Sequence, residues 1–309
     1  MRDRTRRAPP CHPCSSWVSI MTTRYVGLHI GRTAGTSFYH YVESALGIGA
    51  CLPISTFTHD IQRGRLTALE RIDSGQLPVF TYGHYVHESW FEFFRQQGDA
   101  VVGFSFYRDP VERRVSLLRH AVALDQTREG SDFASHLDAK DIWCQEVLRC
   151  FPTASQVLGD QPTWKQALLA LSTLDYLLPM EQAADAARLL VERVGRVDAA
   201  RRFPELNPSR PMTATSEERT AALDEQDLLL YEAVQGGQRA SEAQVQVLRA
   251  AIAQRYSAPG AALDAFRRHL LKFMRSELRS HATTMVCVEI LKARRRSLDD
   301  ALAFLEVST

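Results

Sequence analysis

The chain has 309 residues, with 37 basic against 36 acidic side chains, 45% hydrophobic residues and 24% charged ones. That mix is ordinary for a globular protein and excludes collagen-like, low-complexity and disordered classes. No run of 18 or more apolar residues occurs, so no membrane-spanning helix is expected. A net charge of +1 gives no electrostatic case for a nucleic-acid partner.

The charge is uneven. Residues 1–24 carry five arginines (Arg2, Arg4, Arg6, Arg7 and Arg24) against Asp3, leaving 32 basic and 35 acidic residues for the remainder. With Pro9, Pro10 and Pro13, this opening reads as a flexible basic tail, or as sequence upstream of a start at Met21. The stretch Trp17 to Met21 is too short and interrupted for the apolar region of a secretory signal, so the expected location is cytoplasmic. Cys11-His12-Pro13-Cys14 has the spacing of redox and zinc sites. It supplies half a tetrahedral set, with no strand before it and no helix after it, and reads as an incidental pair.

A short apolar run of strand type spans Tyr25 to Ile30. The loop Gly31-Arg32-Thr33-Ala34-Gly35 follows, then a helical pattern from Thr36 to Leu46. Residues 54–73 look like a short polar helix, Leu77 to Tyr82 like a strand ending at Gly83-His84, and Glu88 to Gln97 like a helix. Ala100 to Tyr107 is continuously apolar, as a strand buried on both faces requires. Helices are expected from Pro110 to Leu124, over 131–150 and 162–172, and from Glu181 to Val194, with a short strand from Leu174 to Leu178. Beyond Gly236-Gly237, Val245, Leu248 and Ile252, and then Leu263, Phe266, Leu270 and Phe273, recur at helical spacing. The predicted organisation is a tail (1–24), an α/β domain on a parallel sheet (25–236) and a helical extension (237–309). A basic stripe through Arg267, Arg268, Lys272, Arg275 and Arg279 reads as a solvated helix face, with a surface for an anionic partner as the alternative.

Two loops carry chemistry. In 31–37, a helix starting near Thr36 aims its unpaired N–H groups and positive dipole end into the loop. Gly31 and Gly35 let backbone approach a bulky anion, Arg32 adds charge, and Thr33, Thr36 and Ser37 add hydroxyls. These are the parts of a phosphate cradle, although Thr36 stands where a Walker A loop has Lys. An ordinary strand-to-helix turn with a polar cap would use the same residues. In the second loop, Phe106-Tyr107-Arg108-Asp109-Pro110-Val111-Glu112-Arg113-Arg114-Val115-Ser116, a strand turns straight into a helix. Asp109 suits the N-cap, Pro110 the first helical position and Glu112 the third, as in a capping box. Arg108 then stands at the strand's carboxyl end, and Ser116 lies two helical turns past the cap, so the two can share one phosphate.

Leu28-His29-Ile30-Gly31-Arg32-Thr33-Ala34-Gly35-Thr36-Ser37 resembles the first nucleotide loop of the PAPS-dependent carbohydrate sulfotransferases, and Phe106 to Ser116 resembles their second. With Gly83-His84 between them, the chain is similar over residues 25–236 to the sulfotransferase family 2 group. Weaker likenesses follow in order: Tyr176 to Gly195, the late loop Glu205-Leu206-Asn207-Pro208-Ser209-Arg210, and the closing helix from Leu223 to Tyr231. The resemblance implies a P-loop-like α/β domain that takes PAPS as sulfuryl donor and a hydroxyl acceptor, by default a saccharide, with no metal. Arg32, Thr33, Gly35, Thr36 and Ser37 would hold the 5′-phosphosulfate, Arg108 and Ser116 the 3′-phosphate, and Asn207 and Ser209 the late nucleotide loop. His84 would be the general base, with His87 ranked behind it, and Arg32 would stabilise the leaving oxygen. The chain has Arg32 where the family has Lys and Gly31 where it has Pro; a planar guanidinium is no neutral substitute for a compact ammonium. Two alternatives stand beside this reading. One is a catalytically degenerate sulfotransferase fold that binds nucleotide or glycan. The other is an ATP-dependent P-loop phosphotransferase, which would want Gly-Lys-Ser/Thr and a magnesium-binding Asp at a strand end. His29 reads as a core or sheet histidine, and Trp90, Phe91, Phe93 and Phe94 as a packed helix face rather than a sugar platform.

Overall fold

The computed structural model describes residues 22–31, 33–54, 71, 74–84, 86–116, 142–195, 203 and 225–269. The tail with its Cys11–Cys14 pair, Arg32, most of 54–73, Asn207, Ser209 and the basic stripe beyond residue 269 lie outside these residues.

Five parallel strands form one sheet in the order β2-β3-β1-β4-β5. They are β1 (Thr23–Leu28), β2 (Cys51–Ile54), β3 (Phe80–Gly83), β4 (Ala100–Tyr107) and β5 (Tyr176–Pro179). The helices are α1 (Gly35–Leu46), α2 (Glu88–Gln96), α3 (110–116), α4 (Ile142–Cys150), α5 (Pro152–Leu158), α6 (Thr163–Ser172), α7 (Ala183–Arg193), α8 (Glu225–Gln235), α9 (Glu242–Arg255) and α10 (261–269). Strand–helix alternation of this kind forces a parallel sheet covered on both faces, because each crossover needs a helix to return the chain.

Alternation along the strands divides the core in two. On one face Phe80, Tyr82, Phe104 and Phe106 make an aromatic layer closed by Phe38 of α1 and by Ala183, Ala187, Leu190 and Val191 of α7. The Phe38 ring lies 4.9 Å from Phe106 and 5.3 Å from Tyr82. Gly27 of the central strand makes room for this layer, since a Cβ there would fall 2.3 Å from atoms of both Phe104 and Tyr82. On the other face Val26 and Leu28 meet residues of α2, α4, α6, α8, α9 and α10. Trp90, Phe91, Phe93 and Phe94 are buried in this core, as the packed-face reading requires. No helix among the described residues is long and apolar enough to cross a membrane.

Two elements went unread in the sequence. Cys51–Ile54, with Pro53 inside it, forms an edge strand, the place in a sheet that tolerates proline. Ile54, where the sequence predicts a polar helix to start, closes this strand instead. Pro152 opens the short α5 at the first helical position, where its missing N–H costs nothing. Helices α9 and α10 place Val245, Leu248, Ile252 and Phe266 in the core that also holds Val26 and Trp90. Ser241 caps α9 with a reciprocal capping box to Gln244.

Phe266 is fully buried and stacks on Trp90 at 4.1 Å between ring centroids. Phe266→Ala should destabilise the fold by about 3–5 kcal/mol in urea unfolding. A loss under about 1 kcal/mol would show that α10 lies outside the cooperative core.

Candidate functional site

The sheet order itself locates a crevice. From β1 the chain leaves through α1 to the β2 edge, whereas β4 lies on the other side of β1 and leads on to β5. Connections that diverge from neighbouring strands leave a gap at the strands' carboxyl ends, where open α/β sheets bind ligands. Leu28 is in register with Gly83 of β3 and with Ser105 of β4. Loop 29–34, His84 and Arg108 thus emerge from three adjacent strand ends, although up to 80 residues separate them in sequence.

The first loop enters α1 without a side-chain cap. Its N-cap, Ala34, is left-handed at φ 59°, the one non-glycine residue with positive φ among those described. Such a conformation costs an L-residue about 1–2 kcal/mol and marks a backbone held by its surroundings. The first turn contains no acidic side chain, so the helix dipole's positive end is unopposed within the helix. Thr33 is fully buried and its hydroxyl donates to the Ile30 carbonyl at 2.7 Å, bracing the loop from within. Thr36 is exposed and Ser37 buried. Gly35 lies under the His29 ring, where a Cβ would come 2.1 Å from Nε2.

His29 lies one residue past β1 and is no sheet histidine. It stacks on His84 at 4.0 Å between centroids and on Tyr82 at 5.2 Å. His84 also adjoins the loop, with its Cε1 3.8 Å from where a Gly31 Cβ would sit. Burial lowers the His84 pKa, the Glu146 carboxylate works against that, and Arg113 and Arg149 add to it. The ring is therefore neutral at neutral pH and able to take a proton. His87 starts α2 as its N-cap; its Nδ1 accepts from the Ser89 amide at 3.2 Å.

At β4 the helix start matches its sequence reading in part. Asp109 Oδ1 accepts the Glu112 amide at 3.0 Å. The reciprocal half of the capping box is replaced, because Glu112 pairs with Arg108 Nε at 3.1 Å. Glu112 is exposed, and an ion pair of this kind contributes at most about 1 kcal/mol, so a phosphate can displace it cheaply. Ser116 is buried on α3.

Three residues given no role in the sequence reading hold the crevice together. Arg113, buried on α3, donates from Nε to the Gly31 carbonyl at 3.0 Å and pairs with Glu146 at 3.1 Å and Asp227 at 3.7 Å. Glu146 accepts the Gly31 amide at 3.4 Å. Asp227 accepts the amides of Trp143 and Cys144 at 2.9 Å each, fixing the start of α4. Arg113 was visible inside the second loop, but nothing local marks Glu146 or Asp227 as its partners. Among the described residues no cluster of three or more His, Cys, Asp or Glu side chains could hold a metal. No protein-family model, curated protein or solved structure matches the chain.

Removing the Arg113 guanidinium takes from the Glu146 and Asp227 carboxylates the cation they share. Arg113→Ala should cost about 3–5 kcal/mol in urea unfolding; a near-neutral effect would remove Arg113 as the keystone. A second prediction concerns pH. Burial, with His269 and Arg255 adding to it, lowers His87 from 6.5 to about 3. Between those values the unfolded chain binds a proton that the native state refuses. The stability contribution is therefore complete above pH 6.5 and is lost as pH falls toward 3, by up to about 1.4 kcal/mol per pH unit. His87→Asn, which keeps an N-cap acceptor, should flatten that acid limb in unfolding measured across the pH range.

Proposed function

We propose that the chain is a PAPS-dependent sulfotransferase acting on a hydroxyl acceptor, by default a saccharide hydroxyl, on a P-loop-like α/β domain. The observation that supports this most is convergence. Two sequence loops read separately as phosphate-binding leave the neighbouring strands β1 and β4 at the sheet's switch point, with His84 beside them at the end of β3. The uncapped start of α1 suits an anion, and Arg108 stands on the other side of the crevice as a charge-assisted donor.

Bound PAPS supplies a sulfuryl group and, in adenosine 3′,5′-bisphosphate, its leaving group. The loop residues Arg32, Thr33, Gly35, Thr36 and Ser37 would orient the phosphosulfate, with Thr33 acting as the brace of the loop. Arg108 and Ser116 would fix the 3′-phosphate, and Asn207 and Ser209 would line the far side of the nucleotide. Neutral His84 takes the proton of the acceptor hydroxyl as the new S–O bond forms and the bond from sulfur to the bridging phosphate oxygen breaks. Charge collects on that bridging oxygen, where Arg32 would act. The 237–309 stretch is proposed as a helical extension, beginning with α9 and α10.

Thermal unfolding with adenosine 3′,5′-bisphosphate, against ATP and AMP, tests the nucleotide assignment. Ligand at 100 times its Kd stabilises by about 2.7 kcal/mol, and a shift confined to the bisphosphate is expected. A shift with ATP and magnesium instead would favour a phosphotransferase. His84→Ala should abolish transfer from PAPS while leaving bisphosphate affinity unchanged. Binding without turnover in the unaltered chain would mark a degenerate fold, for which Arg32 in place of Lys is the favouring observation.

A further inference from the structure

A second recess lies where α2, α9 and α10 meet, and none of its lining residues belongs to either nucleotide loop. It has a volume of about 310 Å³ and is lined by His87, Arg255, Tyr256, Ala261, Ala265 and Arg268. That is the lower end of the range for small-molecule sites, enough for a group of monosaccharide size. Its polar groups are donors of one kind. Arg255 is anchored from behind, 3.5 Å from the buried Glu88 carboxyl and 3.0 Å from Thr153 Oγ1. Glu88 is otherwise occupied by the Thr153 amide and hydroxyl and by the Tyr256 hydroxyl. It offsets at most one of the two guanidinium charges. Arg268 is exposed at the rim and has no carboxylate at ion-pair distance among the described residues.

His87 is 7% exposed and shapes the recess from within. Because its Nδ1 accepts the Ser89 amide, the neutral ring carries its proton on Nε2 and is a donor there. The groups facing it are Arg255, Tyr256 and the His269 ring at 4.5 Å, and burial, with His269 and Arg255 adding to it, keeps it uncharged. A neutral imidazole, a braced guanidinium and an exposed one around one recess suit an oxyanion.

We propose that this recess is an oxyanion-binding site separate from the nucleotide crevice, taking a sulfate or phosphate-monoester group borne on a small molecule. It does not depend on the sulfotransferase reading. Arg268 supplies the charge that closes over the ligand, Arg255 the fixed charge beneath it, and His87 a neutral donor that stays the same from pH 5 to 8.

The test is calorimetric titration of the full chain with inorganic sulfate, at constant ionic strength, with and without saturating adenosine 3′,5′-bisphosphate. Sulfate should bind in both cases, and Arg268→Ala should weaken it by about tenfold or more. Arg268→Lys should restore part of the loss. Arg268 is exposed, so both variants should unfold at the same midpoint as the parent chain. Equal sulfate affinity in the parent and Arg268→Ala, or no saturable binding into the tens of millimolar, would overturn the proposal. If the bisphosphate fails to bind while sulfate binding still depends on Arg268, the nucleotide reading falls and this site stands.

Discussion

The buried guanidinium of Arg113 is the constraint around which the crevice is arranged. It sits on the helix after β4 yet bonds the loop after β1, and it draws in carboxylates from α4 and α8. A charge taken out of water must be matched in both sign and geometry. Arg113 meets that requirement with one carbonyl and two carboxylates, each from a different part of the chain. Glu146 in turn accepts the Gly31 amide. Both the amide and the carbonyl of Gly31 are thus held from outside the loop, which adds to the internal brace from Thr33 to the Ile30 carbonyl. That external support is what allows Ala34 to remain left-handed and the start of α1 to go without a side-chain cap.

The same economy appears in the aromatic layer below. Gly27 and Gly35 bracket the loop and both owe their identity to rings, the first to Phe104 and Tyr82, the second to His29. His29 links the two levels, stacking on Tyr82 of the core and on His84 of the crevice. A change in how α1 sits on the sheet therefore reaches the imidazole through two ring contacts. Packing in the layer is dense enough that such a shift cannot be absorbed locally.

Much of this was legible in the sequence because it is local. Apolar runs, Gly-bounded loops and the Asp109-Pro110 helix start are all patterns within a dozen residues; α1 and β4 lie where those patterns put them, α3 starts at Pro110, and β1 lies two residues earlier, at Thr23–Leu28. The parallel sheet followed from the alternation of strand and helix. What escaped was non-local or atypical. Pro53 disguised an edge strand, and the expected capping box lost half its bonds because Glu112 had a better partner in Arg108. Arg113, Glu146 and Asp227 are spread over more than a hundred residues, and nothing in their flanking sequence announces that they meet. His29 is the same kind of case, since its neighbour His84 arrives through strand register and not through sequence proximity.

The stacking of Phe266 on Trp90 has a consequence for how the chain is made. Trp90 emerges from the ribosome long before its covering ring, and at 5–20 residues per second the interval is on the order of ten seconds. During that time strands β1, β3 and β4 can pair, but the face carrying Trp90 and Phe94 has no cover from α9 or α10. The nascent protein thus leaves this apolar face without its final cover until α10, the last described helix, is synthesised. The time for which that face stays uncovered is set by topology, with the slowest closure reserved for contacts of greatest sequence separation.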